Sequence, residues 1–277
     1  MTMSSGEDAS GKSTARQRER QARRNLERRE RDRIYQPTRS AEFDFPKPAP
    51  EVKSKLIFAT TPRCGSHFIC STLFQTYRVG LPLEYFNPAH FESWGERAGA
   101  SSQWEALSHL VARRTGGNGV FSAKVHWTHF EALPSDRMRN WFRHALWVRI
   151  ERADLVAQAV SWEIAAQTGS FIYTQPSWKT PQYDFDRIYD RLVQILTQRA
   201  AWSRYFEERK IKPKVLVLEQ FLQDPDAQSA ALIKALGLPR AKGPRAPSIP
   251  VVKSQQREIN SGWRSRFVDQ LAKRAVL

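Results

Sequence analysis

Cysteine is nearly absent: Cys64 and Cys70 are the only two in 277 residues. They lie too close together to frame a fold, so a reducing, cytoplasmic setting is the simplest reading. No apolar run approaches the eighteen or so residues of a membrane span. The N-terminus carries basic residues without the apolar stretch of a secretory signal. Metal-ligand spacing is lacking as well, since His126 and His129 stand three apart and no Cys or His completes a zinc pattern, and no metal is expected. Acidic residues are in the minority, 28 against 44 Lys and Arg, for a net charge of +16. Residues 1–40 supply +5 of this and the remainder +11, so the body of the chain is itself basic. That balance points to an anionic partner: nucleic acid, an acidic membrane surface or a polyphosphorylated cofactor.

Residues 6–13, GEDASGKS, match the phosphate-gripping pattern G-x-x-x-x-G-K-[ST]. The pattern works only between a strand and a helix. Only MTMSS precedes it, and STARQRERQARRNLERRERDR follows with no apolar face. Residues 1–50 therefore read as a basic, disordered tail ending in the Pro-rich linker FDFPKPAPEV, and residues 51–277 as the folded domain.

In that domain KLIFAT (55–60) reads as a buried strand and HFICSTLFQTY (67–77) as a helix, followed by the irregular VGLPLEYFNP. QWEALSHLVARR (103–114) reads as a helix, and GVFSAKVHW (119–127) and HALWVRI (144–150) as strands. Helices are expected over 153–167 and about 183–209, the second with Phe185, Ile188, Leu192, Ile195, Leu196, Trp202 and Phe206 on its buried stripe. KVLVLEQF (214–221) reads as a fourth strand, DAQSAALIKALG (226–237) as a helix, and the polar VVKSQQREINSGW (251–263) as a segment before a short last helix. Alternating strands and helices predict an α/β fold of three layers, a mostly parallel sheet with a P-loop-like phosphate-binding loop after the first strand.

That loop is TTPRCGSHF (60–68). Gly65 can take backbone angles closed to other residues, Ser66 can cap the helix, and the helix N-terminus offers N–H groups and partial positive charge. Arg63 adds a planar fork suited to phosphate or sulfate. An ordinary βα turn with a surface Arg reads the same way. Further on, Arg152 follows the third strand and Ser161 lies about two helical turns beyond, which makes a second anion site. Two phosphate sites with a carboxylate between the strands suit a cofactor phosphorylated at both ends of its ribose.

The chain resembles the sulfotransferases that use 3′-phosphoadenosine 5′-phosphosulfate (PAPS), and among them the bacterial trehalose 2-sulfotransferases. The resemblance covers about residues 54–268. It rests on TPRCGS (61–66), GLPLEYF (80–86), GVFSAKVHW (119–127), RADLVAQAVSW (152–162) and KSQQR…WRSRF (253–267). It implies that Arg63, Cys64, Gly65, Ser66 and His67 cradle the 5′-phosphosulfate, that Arg152 and Ser161 hold the 3′-phosphate, and that Lys253 and Arg257 close over the donor. Glu84 would be the catalytic base, and Arg63 would stabilise the departing phosphate. Two positions depart from the family pattern: His67 stands where a small hydroxyl residue is usual, and Arg63 where the cytosolic aryl-type members carry Lys. The implied reaction is metal-free, in-line sulfuryl transfer to a carbohydrate hydroxyl of trehalose, a glycolipid or a polysaccharide. A homodimer is also implied, although no apolar seam marks one. The tail has the charge to meet an anionic membrane surface at the inner face. Lys124, alternating with Val125, reads either as a site lysine or as one snorkelling to solvent. Trp94, Trp127 and Trp178 are candidate sugar platforms. The rival readings are a nucleic-acid binder, which lacks any recognition motif, and a phosphoryl transferase, which lacks a Lys in the loop.

Overall fold

The computed structural model describes residues 40–45, 51–171, 177, 179–241 and 258–275. The tail before residue 40, the GEDASGKS match, Trp178, Lys253 and Arg257 lie outside the described residues.

Four strands form one all-parallel sheet: β1 (Ser54–Thr60), β2 (Val120–His126), β3 (Leu146–Glu151) and β4 (Lys214–Val217), in the order β2-β1-β3-β4. Leu56 to Ala59 are apolar without a break because β1 is central and covered on both faces. Leu56 and Phe58 pack toward α1 (Ser66–Phe74), α8 (Leu218–Gln223) and α9 (Pro225–Leu236), through Ile69, Leu73, Phe221 and Leu232. Ile57 and Ala59 pack the other way, against α2 (Pro88–Ala98), α3 (Gln103–Arg114), α4 (Trp127–Glu131), α5 (Asp136–Trp141) and α7 (Phe185–Glu208). Period-two alternation thus gives the helix–sheet–helix layers expected of a buried parallel sheet. A further apolar cluster joins α6 (Leu155–Thr168), α7 and α10 (Glu258–Ala275) through Val160, Ile188 and Phe267.

Several local readings shift. LEQF leaves the fourth strand and forms α8; β4 ends at Val217. The last helix begins at Glu258, inside the polar segment read as preceding it, because Trp263 and Phe267 pack against α6 and α7. Leu196, assigned to the buried stripe of α7, is 47% exposed. Residues 40–45 are fastened to α3: buried Arg114 donates to the carbonyls of Ser40 and Phe43 and lies 3.5 Å from Asp44 Oδ1. Among the described residues no helix is long and apolar enough to cross a membrane.

The sheet order reverses at β1, with β2 on one side and β3 on the other, so the crevice for a ligand opens beyond the C-terminal ends of β1 and β3. Trp202 of α7 holds that end of β1: its indole Nε1 donates to the Thr60 carbonyl at 3.1 Å, and its ring packs among Phe130, Trp147 and Phe206. Trp202→Ala is expected to cost about 3–5 kcal/mol of unfolding free energy, as large-to-small changes of buried aromatics do. Urea unfolding followed by far-UV circular dichroism measures it.

Candidate active site

The loop after β1 turns on two left-handed residues, Arg63 (φ 63°) and Gly65 (φ 85°). Such alternation lets successive amides face one concavity. A Cβ at Gly65 would also come within 2.4 Å of the Leu218 side chain, which would have to shift. Helix α1 starts at Ser66, and its first backbone bond runs from the Ile69 N–H to the Gly65 carbonyl at 3.1 Å. The N–H groups ahead of Ile69 have no carbonyl further back in the helix, an arrangement suited to an anion. The Cys64 thiol is buried against the loop, beside Thr61 and Ser66, and burial pushes its pKa up.

Helix α6 is tied to the loop by two residues three apart, hence on one face. Gln158, fully buried, donates to Thr61 Oγ1 at 2.8 Å and to the Pro62 carbonyl at 2.7 Å. Ser161 Oγ accepts from Arg63 Nε at 3.1 Å, and Arg63 also donates to the Phe171 carbonyl. Ser161, read from the sequence as a partner of Arg152, is thus joined directly to Arg63 of the loop after β1. Arg152 stands at the exit of β3. Its Nε is buried without a hydrogen bond and lies 3.8 Å from Glu219 Oε1. Glu219 in turn accepts from the N–H groups of Ala153 (2.8 Å) and Asp154 (3.2 Å), fixing the entry to α6.

Glu84 reaches the site through an irregular segment that behaves as an extra edge. Leu83 bridges Ala123 in parallel, and the Lys124 N–H donates to the Leu83 carbonyl at 3.0 Å. This register sets Glu84 beside Lys124. The Lys124 ammonium contacts Glu84 Oε1 at 2.8 Å, and His126 Nε2 lies 3.5 Å from the same oxygen. Burial works to raise the Glu84 carboxyl, but Lys124, followed by His126, holds it well below the ordinary carboxylate range. Both contacts fall on Oε1, and the side chain is 19% exposed, so Oε2 is the oxygen available to an incoming hydroxyl. His126 is steadied by Thr60, whose Oγ1 lies 2.7 Å from Nδ1.

Lys124 is thus a site lysine rather than a snorkelling one. It shares the α1 side of β2 with Val120 and Ser122, and its register partner on β1 is Phe58. Its ammonium also donates to His67 Nδ1 at 3.3 Å, so the His67 side chain faces Lys124. Sequence reasoning missed Gln158 altogether. It also proposed Trp94 as a sugar platform, but Trp94 is fully buried beneath Arg97 and Arg114. Among the described residues no group of three or more His, Cys, Asp or Glu is arranged to hold a metal ion.

The structure thus presents a parallel α/β sheet with a glycine-turned loop and a helix N-terminus at its switch point, and a carboxylate–ammonium pair beside that loop. The model of the Stf0 sulphotransferase family matches residues 55–270. The chain belongs to that family, and its class of reaction is sulfotransfer. No curated protein matches the chain.

Proposed function

We propose that the protein moves a sulfuryl group from PAPS to a carbohydrate hydroxyl, the acceptor being trehalose, a glycolipid headgroup or a polysaccharide sugar. The observation that carries this reading is the pairing of two anion-ready sites on either side of the switch point, with a base candidate next to one of them. The orphaned, buried Arg152 Nε and the first turn of α1, which has no side-chain cap, fit a donor with phosphate at both ends of its ribose. The loop amides from Gly65 to Phe68 and Arg63 would hold the 5′ end, and Arg152 with Ser161 the 3′-phosphate. When bound, PAPS supplies an activated S–O bond whose electron pair leaves on the 5′-phosphate oxygen.

The residues then have distinct work. Glu84 Oε2 takes the proton of the acceptor hydroxyl as the acceptor oxygen bonds to sulfur. Arg63 and the loop amides stabilise the charge that develops on the departing phosphate, at roughly 3 kcal/mol per good donor. Lys124 bridges the two halves. As its charge is shared with sulfuryl oxygens, its hold on Glu84 weakens and the affinity of Glu84 for a proton rises.

Thermal unfolding with adenosine 3′,5′-bisphosphate (PAP), ATP and AMP tests the reading. Ligand at about a hundred times its Kd adds about 2.7 kcal/mol of stability. A shift with PAP well above those with ATP and AMP is the expected result. A shift with ATP alone points to phosphoryl transfer, and no shift with any of the three points to the nucleic-acid reading; either outcome defeats the proposal.

A further inference from the structure

An ammonium group has three N–H donors and no lone pair. Lys124 spends one on Glu84 Oε1 at 2.8 Å and one on His67 Nδ1 at 3.3 Å. His67 Nδ1 is therefore an acceptor, and the imidazole is the neutral Nε2–H tautomer. His67 is also the second residue of α1, so its backbone belongs to the anion-binding end while its side chain grips the cation beside Glu84. We propose that His67 is a positioning residue for sulfuryl transfer, accepting from Lys124 so that the third ammonium N–H is turned toward the sulfuryl group in transit.

The proposal rests on the PAPS reading above and adds to it a role for this side chain. In the step concerned, the acceptor oxygen forms a bond to sulfur, the bond from sulfur to the 5′-phosphate oxygen breaks with its electron pair leaving on that oxygen, and the acceptor proton goes to Glu84. Lys124 neither gains nor loses a proton. An ammonium on a four-carbon stem can rotate, and a single anchor at Glu84 would leave its remaining donors undirected. The second anchor at His67 removes that freedom. Burial first, then the charges of Lys124 and Arg63, push the His67 pKa down to about 3 against the opposing pull of Glu84, which keeps Nδ1 free to accept. The cost of misdirecting a catalytic group by an ångström is about 100-fold, which sets the scale of the expected effect.

Two measurements on the full chain test this. Imidazole ¹⁵N spectra of the wild type, with the His67 signal identified by its loss in His67→Leu, are expected to show one of the six histidines fixed as neutral Nε2–H across about pH 5–8, the range in which free histidine titrates. In Lys124→Met, where burial still keeps the imidazole neutral, that signal is expected to move because Nδ1 loses its donor, without gaining a proton across the range. Kinetically, His67→Leu is expected to bind PAP within about twofold of wild type, yet to transfer sulfuryl to trehalose, used as the probe acceptor, roughly 10–100-fold more slowly at saturation. His67→Asn, whose Oδ1 can accept near the place of Nδ1, is expected to recover part of that loss. A His67 that titrates normally in the wild type overturns the proposal, as does a His67→Leu rate equal to wild type. PAP affinity falling in step with the rate overturns it too, by making His67 a phosphate ligand. Wild-type protein that ignores PAP removes the donor reading and the role of the third N–H with it, while the spectra still report separately on the Lys124–His67 contact.

Discussion

Glu84→Gln is expected to lower kcat by about 10²–10⁴-fold, the range for loss of a general base, with PAP affinity essentially unchanged. Gln keeps the shape of the side chain and an oxygen that can still accept from Lys124, but it cannot carry away a proton. Steady-state rates at saturating donor and acceptor, set beside calorimetric PAP binding, separate the two effects. A variant turning over near the wild-type rate with intact PAP binding would remove Glu84 from the base role. One side effect has a control. Neutralising residue 84 leaves the Lys124 ammonium, 5% exposed, without its counter-charge, which destabilises the fold. The double variant Glu84→Gln/Lys124→Met should recover stability and not activity. The pH dependence follows from the depressed Glu84 carboxyl. Its contribution to stability is complete above the unfolded-state pKa of about 4.3. It is lost as pH falls from there through the lower folded value, so the acid side of the stability curve should be steeper for the wild type than for Glu84→Gln.

What the sequence made legible was what depends on neighbours in the chain. TTPRCGSHF declared itself because a strand, a glycine turn and a helix start lie within nine residues, and the structure places Gly65 at the left-handed helix cap. The long amphipathic stripe of α7 was visible for the same reason, although Leu196 faces solvent. Lys124 was ambiguous because its meaning depends on register. The bridge from Leu83 to Ala123, forty residues away in the chain, sets Glu84 beside it, and no local pattern encodes that bridge. Gln158 gave no signal at all. A glutamine on a helix is ordinary until the helix packs against the carbonyl of Pro62. At the C-terminal end, the polar run through residue 263 reads as a segment preceding the last helix. Packing of Trp263 and Phe267 on α6 and α7 overrode it. The run VLVLEQF carries no periodic break between Val217 and Leu218 to reveal where β4 stops and α8 starts.

Arg152→Ala is expected to abolish the preference for PAP over AMP while leaving AMP binding near its wild-type value. Arg152 is mostly buried, and its Nε has no hydrogen-bond partner, so desolvation of that group is already borne by the folded protein. A 3′-phosphate oxygen that meets it forms a charge-assisted bond. Truncating one partner of such a buried pair costs about 2–5 kcal/mol, a loss of thirtyfold or more in PAP affinity. The fold should tolerate the change. Glu219 loses a charge partner at 3.8 Å but keeps the N–H groups of Ala153 and Asp154, so the entry to α6 stays fixed. Arg152→Lys should recover only part of the affinity, because an ammonium offers a point charge in place of the guanidinium fork. Calorimetric titration of both nucleotides into wild type and variants gives the ratio directly. Equal weakening of PAP and AMP would assign Arg152 to support of the 5′ loop through α6. Unchanged affinity for both nucleotides would move the 3′-phosphate site away from the exit of β3. Selective loss of PAP binding would mean that the guanidinium beyond β3 reads the 3′-phosphate, while the amides of α1 hold the end of the donor where sulfur leaves.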